Sequence, residues 1–197
     1  MNSLYRACVS CMLLLWIATD AWAQTKPADY QPPDDVSFRN ATIISEGSRL
    51  TADIFAPMGM EDQALPTIVM CHGWGGIAQQ LRPDAVAFAR AGYFVVCFDY
   101  RGWGASEGKL VPTKPLVRGK PGEPFTAEVL EIREVVDPLD MTTDLQNAVH
   151  WVHGEKQCDP KRIGLWGTSY SGGHVVYVAA RDPRIKATVS QVPGMDS

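Results

Sequence analysis

Apolar and polar positions alternate in two short segments early in the chain. Val36-Ser37-Phe38 is the first; Leu50, Ala52 and Ile54, with Thr51 and Asp53 between them, form the second. Period-two alternation marks strands buried on one face. Glu46-Gly47-Ser48 separates the two as a turn, so the pair reads as an antiparallel hairpin at one edge of a sheet. The pattern then changes. "PTIVMCHG" (Pro66 to Gly73) and "YFVVCFDYRG" (Tyr93 to Gly102) are continuous apolar runs. Strands covered on both faces look like this, as in a parallel sheet sandwiched by helices. Between them Ala85, Phe88 and Ala89 recur at helical spacing, and Gly92 is placed to end the helix.

A second strand-helix unit follows. Asp137-Pro138 opens a helix with an Asp N-cap and Pro in the first turn. Leu145, Ala148, Val149 and Val152 form its apolar stripe, and Gly154 closes it. "RIGLW" is the next strand, "GGHVVYVAARDP" a helix stopped by Pro183, and "IKATVSQV" (Ile185 to Val192) a further strand. The order β-β-β-α-β-α-β-α-β predicts an α/β fold: a mostly parallel sheet with an antiparallel N-terminal hairpin and helices on both faces. Residues 105–136 break the periodicity. This insertion follows the carboxyl end of the Tyr93–Phe98 strand, where ligands bind in such sheets, so it is read as a lid or rim, with an ornamental loop as the alternative; "AEVLEIREVV" within it is read as a short helix.

The N-terminal pattern is of another kind. One early cation, Arg6, precedes an apolar run from Ala7 to Ala18 and then Ala21-Trp22-Ala23. That is the layout of a secretory signal peptide cut after Ala23. The run is too short to span a bilayer, which takes roughly 20 helical residues. The expected organisation is a signal peptide at 1–23, a proline-rich linker at 24–35 and a folded domain at 36–197, in a secreted or periplasmic protein with no membrane contact after cleavage. Composition adds little: 46% hydrophobic, 20% charged and a net charge of −4 describe an ordinary globular chain, with no basic run to suggest nucleic acid. Cys8 and Cys11 leave with the signal. Cys71, Cys97 and Cys158 are an odd set of three; Cys71 and Cys97, in apolar strand-like runs, are read as buried thiols, with a Cys71–Cys97 bridge left open.

Chemistry concentrates around "RIGLWGTSYSGGHVV" (Arg162 to Val176), where an apolar strand runs into Ser169 and then into a helix. Serine is a favoured helix N-cap in its own right. Three features argue for a nucleophile. The flanks are small: Gly167, Ser171, Gly172 and Gly173. The usual pattern for a serine raised on a strand-to-helix turn is G-x-S-x-G, and here Ser171 occupies the last position, with glycine displaced by one. "HGWGG" (His72 to Gly76) follows the Pro66–Cys71 strand. Attack on an ester or amide creates a negative oxygen that needs two backbone N–H donors. Tyr170, the residue after the serine, and Trp74 in this loop are the candidates. The helix N-terminus behind Ser169 adds a dipole of the right sign.

"CHGWGG", "FDYRGWGASEG" and "GLWGTSYSGGHVV" together resemble the α/β-hydrolase superfamily, from about Val36 to Ser197. Within it the chain is most similar to dienelactone-hydrolase-like and Xaa-Pro dipeptidyl-peptidase-like serine hydrolases. The resemblance implies that Ser169 is the nucleophile and that Tyr170 and Trp74 supply the oxyanion N–H groups. It assigns Asp99, Arg101 and Gly102 to the architecture of a turn. The triad of this superfamily runs Ser, then Asp or Glu, then His.

No acid or base is recognisable here. His174, the sole histidine after Ser169, lies five residues along the serine's own helix, off the neighbouring rows. Asp182 lies at that helix's far end, and Asp196 comes too early for the acid. The expectation is therefore the front part of a hydrolase whose C-terminal strands, acid and His are missing from this chain. Such a fragment would be inactive alone and left with an apolar edge at Ile185–Val192. His72 is read as ordering the oxyanion loop. His150 and His153 share a helix face but have no third ligand, so no metal and no cofactor is expected. The expected function is an exported serine hydrolase of small ester, amide or short peptide substrates. The alternatives are an Xaa-Pro dipeptidyl peptidase and a non-catalytic hydrolase-like module, with a metal-dependent hydrolase more distant.

Overall fold

A computed structural model describes residues 30–195. Residues 1–29, which include the segment read as a signal peptide, Cys8, Cys11 and the first part of the expected linker, lie outside the described residues, as do Asp196 and Ser197. The described residues from Pro32 onward form one compact unit. β1 (Val36–Ser45) and β2 (Ser48–Pro57) pair antiparallel around Glu46 and Gly47, both at positive φ, which is the geometry a two-residue hairpin turn requires. β3 (Leu65–Cys71), α1 (Arg82–Arg90), β4 (Phe94–Phe98), β5 (Lys109–Pro112), β6 (Val129–Ile132), α2 (Pro138–His153), β7 (Cys158–Thr168), α3 (Tyr170–Ala179) and β8 (Ile185–Gln191) follow. The main sheet has the order β1-β2-β4-β3-β7-β8, antiparallel up to β4 and parallel beyond it.

The burial explains the sequence pattern. All five residues of β4 are buried. Phe94, Val96 and Phe98 join one core cluster with Leu145, Ala148, Val149 and Val152 of α2 and Val175 and Val178 of α3. Side chains alternate along a strand, so Val95 and Cys97 are buried on the opposite face. There α1 packs on β2 and β4 and buries Ala85, Val86 and Ala89. Each fully buried aliphatic side chain in these layers contributes about 1.5–3 kcal/mol. Asp137 caps α2 as expected, its carboxylate accepting from the N–H groups of Leu139 and Asp140. The three described cysteines are buried free thiols, and no Cys71–Cys97 bridge forms.

Three expectations change. "AEVLEIREVV" is not a helix: Val129–Ile132 is β6, paired antiparallel with β5 in a separate two-stranded sheet. All four residues of β6 are exposed, so no helical stripe had a core to pack against, and β-branched residues favour the extended form. The strand read as "RIGLW" is longer, starting at Cys158. Finally, α3 starts at Tyr170, directly after Ser169, and ends at Ala179, short of Pro183.

Candidate active site

Ser169 joins β7 to α3 at the carboxyl end of the parallel strands. Its backbone stands at φ 53° and ψ −123°, a conformation that residues with a Cβ rarely adopt, and its side chain makes no capping bond. Ser169 occupies the N-cap position of α3, but side-chain capping does not account for a serine there. Backbone hydrogen bonds hold the conformation. The Ser169 N–H donates to the Gln191 carbonyl (2.9 Å), and its carbonyl accepts from the N–H groups of Gly172 (2.9 Å) and Gly194 (3.0 Å). Ser169 is exposed rather than packed among aliphatic groups. The small flank at Gly167 has a physical reason: a Cβ there would collide with the Ser171 carbonyl and the Val175 side chain.

The loop after β3 comes directly against this turn. Gly73 approaches so closely that a Cβ on it would stand 2.9 Å from the Ser169 Cβ and 3.5 Å from Oγ. Trp74 follows, 68% exposed, with its ring centroid 6.3 Å from that of Tyr170. The structure thus brings Ser169, Tyr170 and the Gly73-Trp74 peptide together. The Tyr170 N–H, in the first turn of α3, is one of the amides a helix leaves without an internal partner. A pocket of about 310 Å³ opens beside Tyr170, between the first turn of α2 and α3, and is lined by Leu139, His174, Tyr177 and Met195 among others.

His72 is buried. Its Nδ1 donates to the Gly73 carbonyl (2.9 Å), and its Nε2 accepts from the Tyr100 N–H (3.4 Å). Burial pushes its pKa down, against smaller opposing effects of the Gly73 bond and the Asp99 charge, so the ring is held neutral. Asp99 accepts from the Ala78 N–H (2.6 Å) and the Ala105 N–H (2.9 Å), tying the ends of both loops to β4. Gly102 donates to the Glu107 carbonyl and accepts from the Glu134 N–H, which roots the insertion. Arg101 is buried against Asp144, at 2.6 Å from Nη2 and 2.9 Å from Nε.

Asp182, His174 and His150 face groups other than Ser169. Asp182 pairs with Arg184 at 2.5 Å. His174 is buried under Tyr170, ring centroids 4.7 Å apart, with Nδ1 3.4 Å from the Tyr100 hydroxyl and 3.5 Å from Ser171 Oγ. Its Nε2 has no partner, and burial pushes its pKa down to about 4. His150 bonds the Gln146 carbonyl within its own helix (3.1 Å). Among the described residues no histidine or carboxylate is hydrogen-bonded to Ser169, and no group of three His, Cys, Asp or Glu side chains is placed to hold a metal.

Sequence reasoning missed two residues. The sequence presents Ser171 as a small flank, yet its buried hydroxyl bonds the His72 carbonyl (2.5 Å) and the Tyr100 hydroxyl (2.8 Å). Asp144 was passed over; an acid directly beside the apolar stripe of α2 was the available signal.

Residues 46–197 match the family model described as X-Pro dipeptidyl-peptidase (S15 family). The chain is 37% identical over 154 residues to an uncharacterized 31.7 kDa protein from the traX-finO intergenic region of Escherichia coli, covering 78% of this chain and 44% of that one. It is 32% identical over 167 residues to the quorum-quenching protein AidA of Acinetobacter baumannii, covering 84% and 45%. A hypothetical protein of Pseudomonas aeruginosa, solved by crystallography, superposes with a TM-score of 0.63 at 25% identity over 87% of this chain and 46% of that one. Acetyl xylan esterase 1 of Thermoanaerobacterium shares the fold, with a TM-score of 0.63 at 23% identity over 84% and 50%. The chain spans less than half the length of these curated relatives.

Proposed function

Because this chain belongs to the X-Pro dipeptidyl-peptidase (S15) family of α/β-hydrolases, we propose that it is the nucleophile-bearing part of a serine hydrolase of ester or amide bonds. The observation that carries this reading is Ser169, exposed at φ 53° and in contact with Gly73. An outlier of this kind, over-determined by three backbone hydrogen bonds, is where strain serves function.

In the proposed reaction Ser169 Oγ attacks the substrate carbonyl and loses its proton to a general base. The carbonyl oxygen becomes an oxyanion, met by the N–H groups of Tyr170 and Trp74. Collapse expels the alcohol or amine, which takes up that proton, and leaves an acyl group on Ser169. Water then attacks the acyl carbon while giving a proton to the base; the bond to Ser169 Oγ breaks, the carboxylic acid leaves, and the proton returns to the serine. His174 is unsuited to be the base, since its Nδ1 faces Tyr100 and Ser171. The acid and base are assigned to the length of the relatives that this chain does not span, and the chain by itself is then inactive or nearly so. Residues 1–23 are read as an export signal.

A fluorophosphonate probe tests the reading. The full-length gene product should label, and Ser169→Ala should abolish labelling; a label that survives the substitution removes Ser169 from the reaction. The family description favours a second reading, cleavage after an X-Pro dipeptide. Release of p-nitroaniline from Gly-Pro-p-nitroanilide, compared with hydrolysis of p-nitrophenyl butyrate, separates the two.

A further inference from the structure

We propose that Ser171 is a positioning residue that locks the Trp74 N–H toward Ser169 through a hydrogen-bonded relay running from α3 into the loop after β3. The inference rests on the proposed nucleophile, and it accounts for serine where the usual motif has glycine.

The relay can be followed atom by atom. Ser171 lies fully buried two residues beyond Ser169, and its hydroxyl donates to the His72 carbonyl at 2.5 Å. A carbonyl only accepts, so the single hydroxyl proton of Ser171 is committed to that bond. The Tyr100 hydroxyl, 2.8 Å away, must then donate to Ser171. Burial raises the Tyr100 pKa well above its ordinary value, which keeps that proton in place. With both hydroxyl protons spent, His174 Nδ1 faces only oxygen lone pairs and carries its own proton.

On the loop side, Ser171 sets the plane of the His72–Gly73 peptide. The His72 ring, anchored at Nε2 by the Tyr100 N–H, donates from Nδ1 to the Gly73 carbonyl, which also accepts from the Gly76 N–H at 3.1 Å. That carbonyl belongs to the peptide whose N–H is that of Trp74. In a trans peptide the N–H points opposite to the C=O. Clamping the Gly73 oxygen inward therefore turns the Trp74 N–H outward, in the loop that Gly73 presses against Ser169. Two oxyanion donors on separate elements work only if their spacing is fixed before charge develops. Ser171 is the side chain that bridges those two elements.

The experiment is fluorophosphonate inactivation of the full-length gene product, resolved into the maximal rate kinact and the half-saturating concentration KI. A phosphonylation transition state also places charge on an oxygen, so the relay should act on kinact. Ser171→Ala is expected to lower kinact roughly 10- to 100-fold, short of the 10²–10³ for outright loss of a donor, and to move KI less than about twofold. Affinity for a boronic acid, which binds Ser169 as a tetrahedral anion, should fall by a similar factor. Val178→Ala thins the packing of α3 on the core without touching the relay and is expected to hold kinact within about threefold. The inference is overturned if Ser171→Ala keeps kinact within twofold, or if Val178→Ala is equally damaging, which would assign the effect to packing of α3. Either result, obtained with a label that Ser169→Ala abolishes, removes the role of Ser171 alone. A label that persists in Ser169→Ala removes the nucleophile and the relay together.

Discussion

Gly73 and Ser169, 96 positions apart in the chain, leave no room for a methyl group between them: a Cβ on Gly73 would sit 2.9 Å from the Cβ of Ser169. Carbon atoms meet at about 3.5–4.0 Å, so Gly73→Ala must push the loop after β3 away from the turn after β7. The expected result is at least a tenfold loss in fluorophosphonate labelling rate and a destabilisation of about 1–3 kcal/mol. Urea unfolding gives the second figure and inactivation kinetics the first. A full-rate Gly73→Ala enzyme would mean that this contact does not set the site.

Asp144 should be the acid on which folding depends most. It is fully buried, and its carboxylate accepts from Ser45 Oγ (2.5 Å) and from the Arg101 N–H (2.9 Å), Nε (2.9 Å) and Nη2 (2.6 Å). Asp144→Ala leaves the buried Arg101 guanidinium without its main counter-charge, and such a loss typically costs about 3–5 kcal/mol. The urea midpoint should drop accordingly, or the variant should fail to accumulate as soluble protein. The exposed pair of Lys114 and Glu128 serves as the contrast, since Lys114→Ala should change stability by less than about 0.5 kcal/mol.

How far the residues announce all this depends on range. The continuous apolar runs of β3 and β4, the Asp137 cap and the stripe of α2 are local signals, and each corresponds to the element found. The Ser171–His72 bond spans 99 positions and the Arg101–Asp144 pair 43, so neither has a local signature. Residues 127–136 misled for a related reason. "AEVLEIREVV" reads as a short helix, but the segment pairs with β5 and leaves the side chains of Val129 and Leu130 in solvent. The strain at Ser169 was legible only indirectly, through the small residues around it.

Shortening the insertion should alter what reaches the serine without touching the fold. Pro112 and Val129 face each other as the last pair of β5 and β6, and residues 113–128 bridge them with almost every residue exposed. Replacing 113–128 with Asn-Gly closes the hairpin by a favoured two-residue turn. The thermal midpoint is expected to stay within about 3 °C, as for a stability change below 1 kcal/mol. Turnover of small and bulky p-nitrophenyl esters by the full-length gene product should change in ratio. An unchanged ratio would remove the insertion from the rim of the site.

His174 makes stability depend on pH in a defined window. Burial holds its pKa near 4, against an ordinary 6.5 in the unfolded chain. Between these values the unfolded state binds a proton that the folded state refuses, so acid favours unfolding. The stabilising contribution is fully present above pH 6.5 and lost progressively down to about pH 4. At roughly 1.4 kcal/mol per unit the whole loss is about 3 kcal/mol. His72, displaced in the same direction by the same cause, adds to the slope. Asp99 opposes it, because burial raises its carboxyl above the ordinary 3.8, so the raw pH profile mixes several groups. His174→Gln keeps a neutral polar side chain and removes the titration, at a pH-independent cost in ring packing. Urea midpoints of both proteins at pH 7.5 and 4.5 therefore isolate the imidazole: the variant's disadvantage at pH 7.5 should shrink or reverse at pH 4.5. Parallel profiles would show that the ring takes up its proton in the folded protein as easily as in water, and that the Tyr100–Ser171–His174 cluster is open to solvent.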